Sequence, residues 1–184
     1  MRFQRHSELE GRHSFLSPSK YHWVNYDEQK MKARFESWRG AARGTELHAL
    51  AQRSIRLGVR LDPREQALAW YVDHAIELGL SPEQYLYYSD NCFGQSDAIG
   101  LVDGVLHVYD LKTGAGPVAK FTQLEIYAAI FCLEYMVDPY DIGYELRIYQ
   151  RDEIRDHQPY ADTIASIMDN IREKDSLVEA MKGV

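Results

Sequence analysis

The chain has 184 residues, of which 45% are hydrophobic and 27% are charged, and its formal net charge is −7. This length and apolar content suit one globular domain with a buried core. No run of about 18 apolar residues occurs, so the sequence predicts no segment that crosses a membrane.

The first part of the chain is predicted to be helical. The stretch SFLSPSKYHW indicates a turn and a short helix, and helical spacing follows from about Asp27 to Leu57, with a break expected near Gly40 and Gly44. The pair Asp62-Pro63 then predicts the start of a second helix, which runs to about Leu78.

After Pro82 the pattern changes to strands. Four are predicted, from Gln84 to Tyr88, Cys92 to Leu101, Val105 to Leu111 and Tyr144 to Tyr149. Asp103-Gly104 indicates a hairpin, because these residues tolerate the positive φ of a tight turn. Two further helices are predicted, from about Val118 to Tyr135 and from about Pro159 to Met181.

This order of elements predicts an α/β fold, with a central mixed β-sheet that contains an antiparallel hairpin and is flanked by helices. The sequence shows no internal repeat and no Pro/Gly-rich linker. We therefore expect a single domain over residues 1–184, with a helical part to about residue 80 and a sheet-and-helix core from about residue 81.

Charge and cysteine content narrow the class of protein. Residues 1–60 hold 12 Lys and Arg against 6 Asp and Glu, whereas the remainder holds 9 against 22. The basic part can present a positive face to phosphate, although a solvated helix surface is the simpler interpretation.

Cys92 and Cys132 form no C-x-x-C pair, so neither a zinc knuckle nor a disulfide framework is predicted. The charged segment MRFQRHSELEGRHSF argues against a secretory signal, and we expect a cytoplasmic location.

The stretch GQSDAIGLVDGVLHVYDLKTG places charged residues on two predicted strands. Across the hairpin, Asp97 and Asp110 fall roughly opposite one another, so their side chains can converge. Two carboxylates about 5 Å apart at an effective dielectric of about 20 repel by roughly 3 kcal/mol. Protonation of one Asp, pairing with Lys112 or a bound divalent cation would each offset this repulsion. Asp110 and Lys112 share one strand face, because residues alternate along a strand.

Two acids and a lysine in this arrangement suit phosphodiester hydrolysis. A hard cation on carboxylate oxygens can bind a phosphate oxygen and lower the pKa of a coordinated water. A nearby ammonium can orient the attacking water or stabilise the transition state. An acid-x-Lys triplet alone is weak support, since about one is expected by chance in a chain of this length. Glu28-Gln29-Lys30 is assigned to a helix surface, because it lies in a polar stretch with no preceding hairpin and no second acid.

With Asp97 thirteen residues before Asp110, the pattern resembles the PD-(D/E)xK nuclease superfamily. Residues 44–48, GTELH, are similar to a G-T-x-x-H helix motif, and Gln123 and Tyr127 form a Q-x-x-x-Y pair. The ordered set GTELH, GQSD, DLKTG and QLEIY resembles the RecB-like exonuclease branch, which includes phage recombination exonucleases and nucleases of CRISPR adaptation. The resemblance covers about residues 17–149.

The resemblance implies a restriction-endonuclease-like core and a role for each matched residue. It implies a Mg²⁺ or Mn²⁺ site with His48, Asp97, Asp110 and the Leu111 carbonyl as ligands. It makes Lys112 the catalytic lysine and adds Gln123 and Tyr127 as residues that shape the pocket and contact the substrate backbone. Glu83 lies where many relatives place a further acid.

Three departures restrict the resemblance. Gln52 stands where many relatives carry an acid four positions after the motif histidine. Two cysteines are too few for the iron–sulfur cluster of some members. No G-x-x-x-x-G-K-[ST] motif appears, so any unwinding motor is expected to be a separate protein.

Each residue also has a simpler interpretation. A lone helical His48 is more often a surface or core residue. Gln123 and Tyr127 can be ordinary helix packing, and Asp110 and Lys112 can form only a structural ion pair. Several aromatic residues could stack on bases, but core packing is the expected use; these are Trp23, Trp38, Trp70, Tyr85, Tyr87 and Tyr88.

The resulting hypothesis is a Mg²⁺- or Mn²⁺-dependent deoxyribonuclease, an exonuclease in phage or mobile-element recombination or DNA processing. Its expected partners are DNA, a recombination or helicase protein, and further copies of the chain. The alternative is a non-catalytic DNA-binding or assembly subunit that retains the fold. Cleavage of RNA also stays open, because the motifs identify a phosphate and not a sugar.

Overall fold

The computed structural model describes residues 14–114 and 119–182. In chain order the elements are a 3₁₀ helix Pro18–Asn25, α1 Glu28–Leu57, a 3₁₀ helix Pro63–Glu65, α2 Ala67–Glu77, β1 Ser81–Ser89, β2 Cys92–Val102, β3 Val105–Lys112, α3 Thr122–Tyr135, β4 Gly143–Gln150, β5 Glu153–His157 and α4 Ala161–Lys182. The predicted start of the third long helix, near Val118, lies outside the described residues.

The chain divides into two compact units, with the boundary between Arg43 and Gly44. This boundary falls inside α1, so the last 14 residues of that helix, 44–57, belong to the second unit with the whole sheet. A single domain over residues 1–184 stays a prediction.

The five strands form one sheet in the order β1-β2-β3-β4-β5. Neighbouring strands are antiparallel except β3 and β4, which pair in parallel. A parallel pair needs a long crossover, and the segment with α3 supplies it. The structure therefore confirms the predicted α/β class and its mixed, helix-flanked sheet.

The predicted hairpin between β2 and β3 is confirmed. Val102 pairs with Val105, which leaves two turn residues, and both have positive φ, 49° at Asp103 and 80° at Gly104. Two-residue hairpins whose turn residues both have φ above zero match the twist of the strands. This turn fixes the register that brings Ala98 opposite Tyr109 near the far end of the hairpin.

Apolar side chains cover both faces of the central strands. Alternate residues of β3, such as Leu106 and Val108, pack in a core with α3 and α4. The intervening residues, such as Tyr109 and Leu111, pack in a second core with α2 and residues 51–55 of α1. The alternation of side chains along a strand produces this division, and charged residues on β3 are confined to its end.

Three local predictions need correction. Helix α1 is continuous through Gly40 and Gly44. The helix predicted from Asp62-Pro63 begins as a 3₁₀ turn, because Gln66 has φ 41° and interrupts it before α2. The edge strand β5 was not predicted, since its sequence EIRDH lacks regular apolar alternation.

Candidate metal centre

The regular pairing of β1 and β2 is interrupted at Glu83 and Asp97. The pairs Pro82↔Ala98 and Gln84↔Ser96 leave these two acids opposite one another. Glu83 has φ 53°, a conformation that residues other than glycine seldom adopt. Such backbone strain persists only where the surrounding structure holds it, and it is concentrated at functional sites.

His48 brings helix α1 to these acids. Its Nδ1 atom lies 3.6 Å from Asp97 Oδ1 and 3.8 Å from Glu83 Oε1. The three side chains can place one ligand atom each within 4.8 Å of one another. One imidazole and two carboxylates form a donor set that suits a divalent cation.

A glycine lets α1 approach the end of β3 closely. A Cβ atom added at Gly44 would lie 2.8 Å from Thr113 Oγ1, a distance that real Cβ contacts do not reach. Thr113 follows Lys112 directly, so the glycine of GTELH lies against the segment that carries the lysine. Larger residues at position 44 would require Thr113 to move.

Asp110 and Lys112 form the second part of the site. Asp110 is 4% exposed, and its Oδ1 accepts a hydrogen bond of 2.8 Å from Lys112 Nζ. Its other oxygen, Oδ2, is buried without a hydrogen-bond partner among the described residues. Leaving a buried acceptor unsatisfied costs about 1–3 kcal/mol, and more when it is charged. A bound cation would remove this cost.

The carboxylate of Asp97 links the two parts. Its Oδ2 accepts a hydrogen bond of 2.8 Å from the Leu111 amide. Burial and then the charge of Asp110 raise the pKa of Asp97 to about 6, although the Leu111 amide and His48 act in the opposite direction. The charges of the neighbouring acids are therefore close enough to oppose ionisation, which a divalent cation would reverse.

Gln123 and Tyr127 lie on one face of α3 and extend the network from the lysine. Lys112 Nζ is 3.4 Å from Gln123 Oε1, and Gln123 Nε2 is 3.4 Å from the Tyr127 hydroxyl. That hydroxyl donates a hydrogen bond of 2.6 Å to the Gln95 carbonyl. A Cβ atom added at Gly94 would lie 3.0 Å from the Tyr127 ring, so Gly94 makes room for the tyrosine.

The cluster with metal-ligand spacing differs from the predicted ligand set. It contains Glu83 beside His48 and Asp97, whereas Asp110 bonds to Lys112 and acts on Asp97 through its charge. Leu111 contributes its amide to Asp97, and a ligand role for its carbonyl stays a prediction. The signal for Glu83 in the sequence was an acid at the start of a predicted strand, which is too common to decide a ligand.

The aromatic residues divide between core and surface. Trp70 and Tyr88 pack against the two cores, as expected. Tyr85, Tyr87 and Trp38 are instead 61%, 49% and 48% exposed, so the expectation of core packing is wrong for them. Exposed rings remain available for contacts with other molecules.

Comparison of the chain with protein-family models and with curated proteins gives no match. Within residues 14–114 and 119–182, no helix combines the length and the apolar character required to cross a membrane. The geometry of the site and its chemistry are thus the basis for a functional proposal.

Proposed function

We propose that this protein is a divalent-cation-dependent nuclease of the PD-(D/E)xK superfamily, RecB-like branch, that hydrolyses phosphodiester bonds in DNA. One observation carries the proposal. Two acids, Glu83 of β1 and Asp97 of β2, lie beside His48, and the charge of Asp110 on β3 acts on Asp97. Among the described residues, the buried Asp110 keeps one oxygen unpartnered beside Lys112.

A cation would be held by His48, Glu83 and Asp97, with Asp110 Oδ2 as the further oxygen. Oxygen-rich ligation with one imidazole suits Mg²⁺ or Mn²⁺ better than softer metals. When bound, such a cation polarises a phosphate oxygen and lowers the pKa of a coordinated water.

The ammonium of Lys112 supplies the positive charge that phosphodiester hydrolysis needs beside the phosphate. This ammonium is held at Asp110 Oδ1 and is about one-third exposed, so it keeps donors for a phosphate oxygen or an attacking water. Gln123 accepts from the same ammonium and limits its motion. Holding the ammonium at two points orients it before the substrate arrives.

A purely structural role explains these residues less well. A structural Asp110–Lys112 pair would be expected to satisfy both carboxylate oxygens, because a half-satisfied buried ion pair is costly. A structural His48 would not require two acids within 4 Å of one ring nitrogen. Both features are expected of a cation-binding site.

The test is cleavage of end-labelled single- and double-stranded DNA by the purified protein in Mg²⁺, in Mn²⁺ and in EDTA. Asp110→Asn and Lys112→Ala should each lower the rate by at least about 100-fold, the usual minimum for loss of an electrostatic or acid–base contribution. Asp103→Asn, in the hairpin turn, and Lys174→Ala, on α4, are matched controls that should cleave normally.

Two outcomes would overturn the proposal. Unchanged cleavage by Asp110→Asn or Lys112→Ala would exclude the mechanism. DNA binding without cleavage in both cations would favour a non-catalytic DNA-binding or assembly subunit.

We further propose exonuclease action in phage or mobile-element recombination or DNA processing. This finer assignment is supported by the RecB-like motif order alone. Circular and end-blocked DNA should then resist cleavage, whereas the same DNA with free ends should be degraded. Parallel reactions with RNA of the same sequence would show whether the 2′-hydroxyl is tolerated.

A further inference from the structure

The first compact unit contains a cleft whose lining residues take no part in the proposed metal site. We call it the amino-terminal cleft, and it has a volume of about 700 Å³. Three aromatic and three cationic side chains line it: Phe15, Tyr26, Trp38, Lys20, Lys30 and Arg34. Hydroxyl groups of several serines complete its wall.

Two of the three cations of the cleft, Lys30 and Arg34, lie over aromatic rings. Lys30 Nζ lies 4.5 Å from the centre of the Tyr26 ring, and the Arg34 guanidinium lies 5.4 Å from that of Phe15. Among the described residues, neither these two side chains nor Lys20 forms an ion pair with a carboxylate. Cation–π contacts leave the positive charge available to an external anion.

Trp38 provides an exposed flat surface beside these charges. Its ring is 5.6 Å from Phe15 and 5.8 Å from Phe35, centre to centre, so both neighbours contact the indole. The residue nevertheless remains 48% exposed. A supported but exposed indole is the arrangement on which an unpaired base can stack.

The charge distribution favours an anionic ligand at this unit. Residues 1–43 contain nine Lys and Arg against five Asp and Glu, a balance of +4, whereas residues 44–184 contain twelve against twenty-three, a balance of −11. A polyanion would therefore be attracted to the first unit and repelled by most of the second.

We propose that the amino-terminal cleft binds single-stranded nucleic acid, with an unpaired base stacked on Trp38 and phosphates at Lys20, Lys30 and Arg34. The choice of nucleic acid among possible anions rests on the proposed function. Single strands fit because their bases can separate and stack on a side chain, whereas the base faces of a duplex are covered by neighbouring pairs.

The first test removes the charges. Fluorescence anisotropy of a labelled oligothymidylate is measured with the full chain in EDTA, so that nothing is cut. Lys30→Ala/Arg34→Ala should weaken binding at least about tenfold and lower the slope of log K against log salt by about 1.4, because each phosphate contact on a single strand contributes about 0.7. The matched control, Arg172→Ala/Lys174→Ala, removes the same charge from α4 and should bind normally.

The second test removes the ring. Trp38→Ala should weaken binding about 5- to 150-fold, the equivalent of about 1–3 kcal/mol for one stacked base. Trp38→Phe should retain most of the affinity because it keeps a flat ring, and Tyr160→Ala, at an exposed tyrosine of the second unit, should have no effect. Circular dichroism of each variant shows that the fold is retained.

The inference is overturned by the absence of oligothymidylate binding, or by equal losses in the cleft and control variants. It is also overturned if a duplex of the same length binds as tightly, or if phosphatidylserine vesicles bind in place of the oligonucleotide. Binding that the cleft variants weaken, without cleavage of DNA, would support the inference about the cleft and contradict the proposed function. Cleavage of DNA together with binding that the cleft variants do not weaken would support the proposed function and overturn the inference about the cleft.

Discussion

The carboxylate of Asp97 accepts a hydrogen bond from the main-chain amide of Leu111, with Oδ2 and N 2.8 Å apart. This bond continues the contact between β2 and β3 beyond the pair Ala98↔Tyr109. Because Leu111 lies between Asp110 and Lys112, the bond fixes the position of both relative to Asp97. Asp97 therefore has a structural part in the hairpin as well as its proposed part in cation binding.

The raised pKa of Asp97 predicts a pH dependence of stability in the metal-free protein. The folded state holds this proton up to a pH of about 6, whereas the unfolded chain releases it near 3.8. The contribution is therefore fully present below pH 3.8 and is lost as pH rises through about 6. Its size is about 2–3 kcal/mol, since each pKa unit corresponds to about 1.4 kcal/mol.

Denaturant unfolding between pH 3.5 and about 7 in EDTA measures this effect. Asp97→Asn should keep the acceptor for the Leu111 amide and flatten the pH dependence relative to wild type. Asp103→Asn, at an acid of the hairpin turn, should leave it unchanged. Parallel curves for wild type and Asp97→Asn would contradict the prediction.

Removal of the Lys112 ammonium should destabilise the metal-free protein. Lys112→Ala leaves the 4%-exposed Asp110 without its cationic partner. We expect a loss of about 1–3 kcal/mol in the free energy of unfolding, since the buried acceptor becomes unpaired. Millimolar Mn²⁺ should restore much of this loss, because a cation can take the place of the ammonium.

Urea titration of Lys112→Ala with Mn²⁺ and with EDTA checks this expectation. Lys174→Ala is the control, since its ammonium pairs only with the exposed Glu173 among the described residues. A Lys112→Ala variant as stable as wild type in EDTA would contradict the expectation that the Lys112 ammonium stabilises the fold through Asp110.

Close packing at Gly94 predicts that alanine is destabilising there. The added Cβ would lie 3.0 Å from the Tyr127 ring, so the tyrosine, whose hydroxyl donates to the Gln95 carbonyl, would have to shift by a few tenths of an ångström. We expect a cost of about 1–3 kcal/mol and a weaker Lys112–Gln123–Tyr127 network. Gly40→Ala, where no atom lies within 4 Å of the added Cβ, should instead stabilise α1 by about 0.5–1 kcal/mol. Thermal unfolding of the two variants compares these opposite signs.

The hairpin and the facing acids could be predicted because local rules determine them. Asp103-Gly104 fixes the turn, the turn fixes the register, and the register places Asp97 and Asp110 together. The sequence also predicted β1 and β4 as strands, but it predicted neither the order of the strands in the sheet nor the charged edge strand β5.

The composition of the metal cluster could not be predicted in the same way. Alternation along regular strands does not determine where the Glu83 side chain points, because φ at Glu83 is 53°. The interruption at Gln66, where φ is 41°, was not predicted from the sequence for the same reason. Both positions depend on tertiary packing that overrides the local preference of a non-glycine residue.

The position of Glu83 beside His48 and Asp97 leads to a prediction that separates the two possible ligand sets. If the observed cluster holds the cation, Glu83→Gln removes a charged ligand and should weaken Mn²⁺ binding at least about tenfold, as losses around metal ligands commonly do. Calorimetric titration of Mn²⁺ into the wild type and the variant measures the change. Glu173→Gln, which removes an exposed acid from α4, should bind Mn²⁺ as the wild type does. If Glu83→Gln binds normally while Asp110→Asn loses binding, the cation is held by the set that the family resemblance implied, and Glu83 is not one of its ligands.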